Sequence, residues 1–374
     1  MSATVDSLID RLLTDQNLIA LVASQRLKPL IGNTVYPASY AAPDGSARDD
    51  KGPRYCITEL RDGTNICVID SIPSQANRIE TALLTDDYLG LVREVRVQAK
   101  LANDTVGIRH MLELGHRATD GAVLASTLEP EITTALRCVR DDPAPLASIA
   151  PMCLLMGVWD SRKNRTGLKL PRAFSATIEA TDVSQRQRHA QYNSAWHANE
   201  LASELQDAAG AKPSEIGLDG VPSGDGLGGV VVHGEIGRNA FLATNPLRAN
   251  CSGKSDTAKN AARYIASLGL VALTMPASPW LRSGCNLVPD GTTLIEAVNT
   301  DGSRETLKIT HSEAIAVAKQ CAKTLGIDQL APLLGEITAD NIRKLASAKD
   351  ESPAKAKAAK GKKTAADADA TVES

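Results

Sequence analysis

The stretch CVIDSIPSQANRIE, residues 67–80, changes character halfway along. Cys67 to Asp70 reads as the end of a buried strand, and Pro73 to Glu80 as the first turns of a helix. Ser71 or Ser74 can cap that helix, and Pro73 suits its first turn. Capping accounts for two residues and leaves Gln75, Asn77 and Arg78 crowded at the same end. The N-terminal N–H groups and the dipole of a helix favour anions, and amide and guanidinium donors reinforce that preference. Ser74, Gln75, Asn77 and Arg78 are therefore expected to position phosphate. Arg78 follows Ser74 by one helical turn, so these side chains reach a common point. On this reading Arg78→Ala leaves folding nearly untouched, because Ala is a good helix former.

Outward from that junction the chain alternates between short strands and helices. VDSLIDRLLTDQNLIALVA, at the N-terminus, reads as an amphipathic helix and not as a signal peptide, since Asp and Arg interrupt its apolar pattern. A loop rich in Pro, Gly and Asp (36–54) precedes two strand candidates, YCITEL (55–60) and NICVID (65–70), joined by the turn signal Arg61-Asp62-Gly63. EVRVQAK (94–100) alternates like a strand, and 105–118 is helical in pattern. PMCLLMGVWD (151–160) reads as a central buried strand, with RAFSATIEATDV (172–183) beside it. A glycine-rich stretch (216–229) leads into the strand VVVHGEI (230–236). TAKNAARYIASLG (257–269) is a helix feeding a strand LVALTM (270–275), and 293–310 is a hairpin built on Asp301-Gly302. Strands, helices, hairpins and long insertions without regular βαβ alternation point to an α+β fold. One domain is expected over 1–348, with a glycine-rich insertion near 210–229. Residues 349–374 read as a disordered Lys/Ala-rich tail with six Lys against five acids.

Composition narrows the function classes. The net charge of −3 means that a polyanion site has to be a local patch. Seven scattered cysteines without a CxxC pair imply a reduced, cytoplasmic protein. LASIAPMCLLMGVW (146–159), the longest apolar stretch, falls short of the roughly 18–20 residues of a membrane span, so no membrane role is expected. Aromatic residues make up 3% of the chain, with two Phe. Stacking bases on aromatic platforms therefore cannot be its main grip on a partner.

A basic loop is the second informative feature. DSRKNRTGLKLPRA (160–173) carries Arg162, Lys163, Arg165, Lys169 and Arg172 with no acid after Asp160. The loop is fixed by a strand at each end, and Arg186 and Arg188 extend the same sign. Like charges this dense repel one another unless neutralised, and a phosphate backbone is the natural partner. Three other patterns lack their required context. Gly224, Gly226 and Gly229 spell GxGxxG, but the stretch neither follows a strand nor opens a helix, and a flexible or protruding loop is expected. Ser252-Gly253-Lys254-Ser255 resembles the end of a phosphate-binding loop, but Arg248 stands where its first glycine belongs. His110, Glu113 and His116 suggest a metal only superficially, and exposed or capping histidines are expected. No metal and no cofactor are expected.

These segments together resemble a known family. DSIPSQANRIE (70–80) resembles the DSxxSQANRxE signature of the backbone subunit of type I-U, also called I-G, CRISPR Cascade surveillance complexes. GVWDSRKNRTGLKLPR (157–172) resembles that family's GxWDS…PR segment, and SPWLRSGCNL (278–287) its LRSxCxL segment. The resemblance implies a RAMP-superfamily protein of the Cas-seven group. Such a protein has a modified RRM-like (ferredoxin-like) core with inserted thumb and finger elements. It implies a non-catalytic, crRNA-binding subunit of an antiviral ribonucleoprotein that polymerises with further copies into a helical backbone beside other CRISPR effector subunits. Base pairing between the guide and target DNA then reads sequence. Arg282 and Ser283 join the RNA-binding set through the resemblance. Two rivals stay open. One is a RAMP subunit that cleaves RNA with a loop aspartate, Asp70 or Asp160. The other is a phosphate-binding metabolic enzyme that uses the helix start at 252–256.

Overall fold

The computed structural model describes residues 5–40, 54–161, 165–192 and 221–350, with isolated positions between 194 and 215. In chain order the elements that frame the site begin with α1 (Val5–Thr14), β1 (Leu18–Pro29), β2 (Asn65–Asp70) and α2 (Ile72–Ala82). Then come β3 (Phe174–Thr181), β4 (Val183–Tyr192), β5 (Val221–Val232), β6 (Ile236–Ala243) and α3 (Asp256–Thr274). The hairpin β7 (Trp280–Arg282) and β8 (Cys285–Pro289), the strand β9 (Leu294–Asn299) and the helix α4 (His311–Leu325) follow.

Four strands form the centre, side by side in the order β9-β1-β6-β3, each antiparallel to its neighbour. Counted in chain order this is 4-1-3-2, the ferredoxin-like arrangement of an RRM-like core. Helical crossovers from β1 to β3 and from β6 to β9 leave each joined pair parallel, with one strand between them. β2 extends the sheet beyond β3, and β8 continues it along the far end of β1. β4 and β5 form a ribbon inserted between core strands β3 and β6.

Helices cover one face of this sheet. Leu8 and Leu12 of α1, Leu21 of β1, Phe174 of β3, Leu242 of β6 and Ile265 of α3 share the main core. A Cβ added at Gly269 of α3 would stand 2.8 Å from the Leu242 side chain, so glycine sets the close approach of helix to sheet. A smaller core, with Leu27, Ile69, Ile178, Val230, Leu281 and Leu287, lies toward the hairpins. On β1 the buried Gln25 separates Ala23 of the first core from Leu27 of the second. On β6 the buried Arg238 separates Ala240 from Ile236 in the same way.

Three apolar runs take the opposite structure from the one expected. LIALVA is the first half of β1, not the end of a helix, because Asp15-Gln16-Asn17 turns the chain after Thr14, with Asn17 N–H donating to Asp15 Oδ1 at 3.0 Å. PMCLLM is a buried helix, Pro151–Met156, started by its proline and rich in Leu and Met. LVALT continues α3, whose outward residues become apolar as the helix enters the core. Residues 105–118 supply a strand, Val106–His110, and two 3-10 turns instead of one helix. The hairpin on Asp301-Gly302 forms as expected, with Gly302 at φ +82°. Gly224, Gly226 and Gly229 lie within β5 and not in a loop. Among the described residues no helix is long and apolar enough to cross a membrane. The tail beyond 350 and most of 193–220 lie outside the described residues.

Candidate nucleic-acid interface

Asp70 ends β2 fully buried, and the donors of the SQANR segment turn toward it. Ser74 Oγ donates to its carboxylate at 2.9 Å and Gln75 Nε2 at 2.7 Å. Arg78 donates through Nε at 3.0 Å and Nη2 at 3.4 Å. Arg282, from the β7–β8 hairpin, completes the set with an ion pair through Nη2. Burial alone would push the Asp70 carboxyl up, but the bonds from Arg78, Gln75 and Ser74 outweigh it and hold the pKa below its ordinary value. The cap forms as well, with Ser71 Oγ accepting from Ser74 N–H at 3.4 Å.

This cluster ties four segments together. Arg78 Nη2 donates to Leu281 O at 2.7 Å, and Arg282 Nη1 to Ile69 O at 2.9 Å. Gln75 Oε1 accepts from Arg238 Nε of β6 at 3.2 Å. Burial lowers the Arg238 pKa to about 10. At the other end of α2, buried Glu80 accepts from Arg117, with Nη2 at 2.9 Å. Burial raises its pKa against the opposing field of Arg117, and Arg172 adds its own field. Around α2, five guanidiniums (Arg78, Arg117, Arg172, Arg238, Arg282) face two carboxylates. Arg78 and Arg282 keep 27% and 25% of their side chains exposed. Three of the four expected phosphate donors, Ser74, Gln75 and Arg78, are thus already bonded to Asp70, and what the cluster offers a ligand is an excess of charge at the surface. Arg78 bridges to a buried carboxylate, so its removal is expected to cost stability, in contrast to the expectation from helix propensity alone.

The basic loop divides. Asp160 is buried, and accepts from Thr166 N–H at 3.1 Å, Thr166 Oγ1 at 2.7 Å and Arg165 Nε at 3.3 Å. Arg165 also pairs with Glu129, so it braces the loop from inside. Lys169 and Arg172 are exposed. The Lys169 ammonium sits 5.1 Å from the centroid of the Trp159 ring, which is 62% exposed. Arg186 and Arg188 are exposed on β4. Asn77 is exposed on α2, as is Ser283 in the β7–β8 turn. Arg162 and Lys163 lie outside the described residues.

The remaining patterns find structural roles. His110 caps a 3-10 turn, its Nδ1 accepting from Leu112 N–H at 3.1 Å while Glu113 accepts from His110 N–H at 2.6 Å. Ser255 caps α3, accepting from Ala258 N–H at 3.0 Å. A Cβ at Gly253 would meet that of Ala258 at 2.5 Å, so the glycine there serves packing. Sequence reasoning missed Arg238 and Arg117. Arg238 had a signal: in IGRNAFLA its register places it with Ile236, Ala240 and Leu242, a charge on an apolar face.

Residues 21–185, somewhat under half of the chain, match the family model described as CRISPR-associated protein GSU0053. The chain is therefore similar to a CRISPR-associated family over a region that contains both the Asp70 junction and the Asp160 loop, and stops before the β7–β8 hairpin. No curated protein matches the sequence. Among solved structures, the chain resembles one described as "CRISPR RNA-guided surveillance complex, pre-nicking" at 12% identity and a TM-score of 0.34, over 75% of this chain and 77% of that one.

Proposed function

We propose that this protein is a non-catalytic, cytoplasmic crRNA-binding backbone subunit of a CRISPR effector complex. The observation that carries the proposal is the charge at the strand-to-helix junction, where guanidiniums outnumber carboxylates around α2. A buried carboxylate that already accepts from Ser74, Gln75, Arg78 and Arg282 fixes those side chains, and the surplus of positive charge favours a phosphate against the exposed edges of Arg78 and Arg282. Exposed Lys169, Arg172, Arg186 and Arg188 supply further phosphate contacts. Similarity to a CRISPR-associated family over 21–185 makes guide RNA the partner of choice. Further copies of the chain would then line the guide and present it for pairing with target DNA.

The cleaving alternative has less support. Asp70 and Asp160 are both fully buried and engaged by arginines, which leaves neither carboxylate free to face a substrate. The test is purification of the full chain after co-expression with its CRISPR array. A bound RNA of uniform length at high stoichiometry supports the proposal, and a protein free of RNA overturns it. Incubating that complex with complementary RNA and a divalent cation checks the second part, since cleavage lost in Asp70→Asn or Asp160→Asn would make the subunit an enzyme.

A further inference from the structure

All three tryptophans of this aromatic-poor chain are exposed: Trp159 by 62%, Trp196 by 64% and Trp280 by 59%. Indoles are usually mostly buried, so an indole held outward on a rigid mount calls for an occupant. Trp280 sits on a hairpin braced by several contacts. It starts β7, whose next residue, Leu281, is buried in the smaller core, and β8 anchors the hairpin with buried Cys285 and Leu287. Arg282 bonds the hairpin to Asp70 and to Ile69 O, and Arg78 bonds Leu281 O. Tyr36 N–H donates to Gly284 O at 3.1 Å, and a Cβ at Gly284 would lie 2.4 Å from the Tyr36 ring.

We infer that Trp280 stacks one base of a single-stranded RNA, with that nucleotide's phosphate against Arg282 and Arg78. A nucleotide joins a flat ring to an anion, and here an exposed indole stands two residues from the partly exposed guanidinium of Arg282, with the partly exposed Arg78 of α2 bonded to the residue between them. The neighbours on the hairpin argue for the same occupant. Ser278, Ser283 and Asn286 are exposed and polar, and hydroxyl and amide groups of this kind are common contacts for the phosphate and sugar of a nucleic acid. Stacking at one position also agrees with the scarcity of aromatics, which rules out a platform of several rings. The inference rests on the RNA-binding reading above and adds a residue to it.

The test uses the full chain with Trp159→Phe and Trp196→Phe, so that Trp280 is the only indole. Titration with a single-stranded oligouridylate should quench its fluorescence to saturation, and a duplex RNA of the same length should not. Trp280→Ala should bind the oligomer roughly 5- to 150-fold more weakly with an unchanged salt slope, and Trp280→Phe should recover most of the loss. Arg282→Ala should instead lower the salt slope. RNA bound at wild-type affinity by Trp280→Ala, without quenching in the single-indole protein, overturns the stacking and leaves RNA binding standing. Trp280→Ala that keeps its RNA affinity but no longer assembles overturns it too, in favour of a protein contact. Stronger quenching by oligodeoxythymidylate overturns the assignment to guide RNA. No binding of any oligomer overturns both readings.

Discussion

Asp70 and Asp160 begin alike: one ends a short strand and the other directly follows one, Val158–Trp159, each is fully buried, and each holds an arginine and a hydroxyl. Their partners come from different distances. Asp160 is served by Arg165 and Thr166 of its own loop, with Glu129 behind Arg165. Asp70 gathers donors from α2 and from a hairpin more than two hundred residues away, and through Gln75 it reaches β6. One carboxylate stiffens a loop, and the other fastens the sheet, a helix and a hairpin to one another. A buried carboxylate is therefore worth as much as the number of separate chain segments it joins.

Substituting each aspartate tests that difference most directly. Asp70→Ala strands two guanidiniums at once, those of Arg78 and Arg282, and should cost about 3–5 kcal/mol in urea unfolding, the range for breaking a buried pair. Asp160→Ala should cost clearly less, because its loop can relax. Equal losses would erase the contrast. Next in size is Arg78→Ala, which removes bonds to Asp70 and to Leu281 O and should cost about 2–3 kcal/mol. Arg78→Lys should not rescue it, since one ammonium cannot reach both acceptors with a guanidinium's geometry. A melt unchanged from wild type would return Arg78 to the role of a free phosphate ligand.

Acid titration resolves two carboxylates near α2 that carry opposite signs. The Asp70 carboxyl is held low when folded, so its contribution is present above its unfolded pKa of about 3.9 and is lost as pH falls through the folded value. The Glu80 carboxyl is held high by burial, so its ionised form is disfavoured at neutral pH and stability is regained as pH falls through that raised value. Unfolding measured from neutral pH downward should show a slight gain and then a steep loss, and Asp70→Asn should remove the steep part. The smallest stability effect belongs to Lys169→Ala with Arg188→Ala, within about 0.5 kcal/mol of wild type. Their RNA affinity should nevertheless fall, with the slope of log K against log salt reduced by about 0.7 for each phosphate that the missing cations no longer neutralise.

Turn chemistry and alternation were legible in the sequence. The cap at Ser71, the strand at Phe174–Thr181 and the Asp301-Gly302 hairpin all rest on local rules. The apolar runs LIALVA, PMCLLM and LVALTM were not legible as elements, because burial on every side removes the polar punctuation that reveals a period. What decided them lay at their ends: a turn before Leu18, a proline before Met152, and a helix already running into Leu270. At the site, the spacing of Ser74, Gln75 and Arg78 correctly implied a common target. That target is the carboxylate just before them, and nothing local to 70–80 could announce that Arg282 would share it.

The central position of β1 also has a consequence for synthesis. Leu21 pairs with Leu242 on one side and Ala297 on the other, so the earliest core strand waits for some of the latest residues made. At a translation rate of about 5–20 residues per second, roughly 10–40 s separate the appearance of β1 from that of β6. Throughout that interval LIALVA has both hydrogen-bonding edges open, next to α1, an element already able to shield it. Cells making this protein in many copies would carry a standing population of unpaired first strands, and chaperone supply, more than final stability, would set the yield.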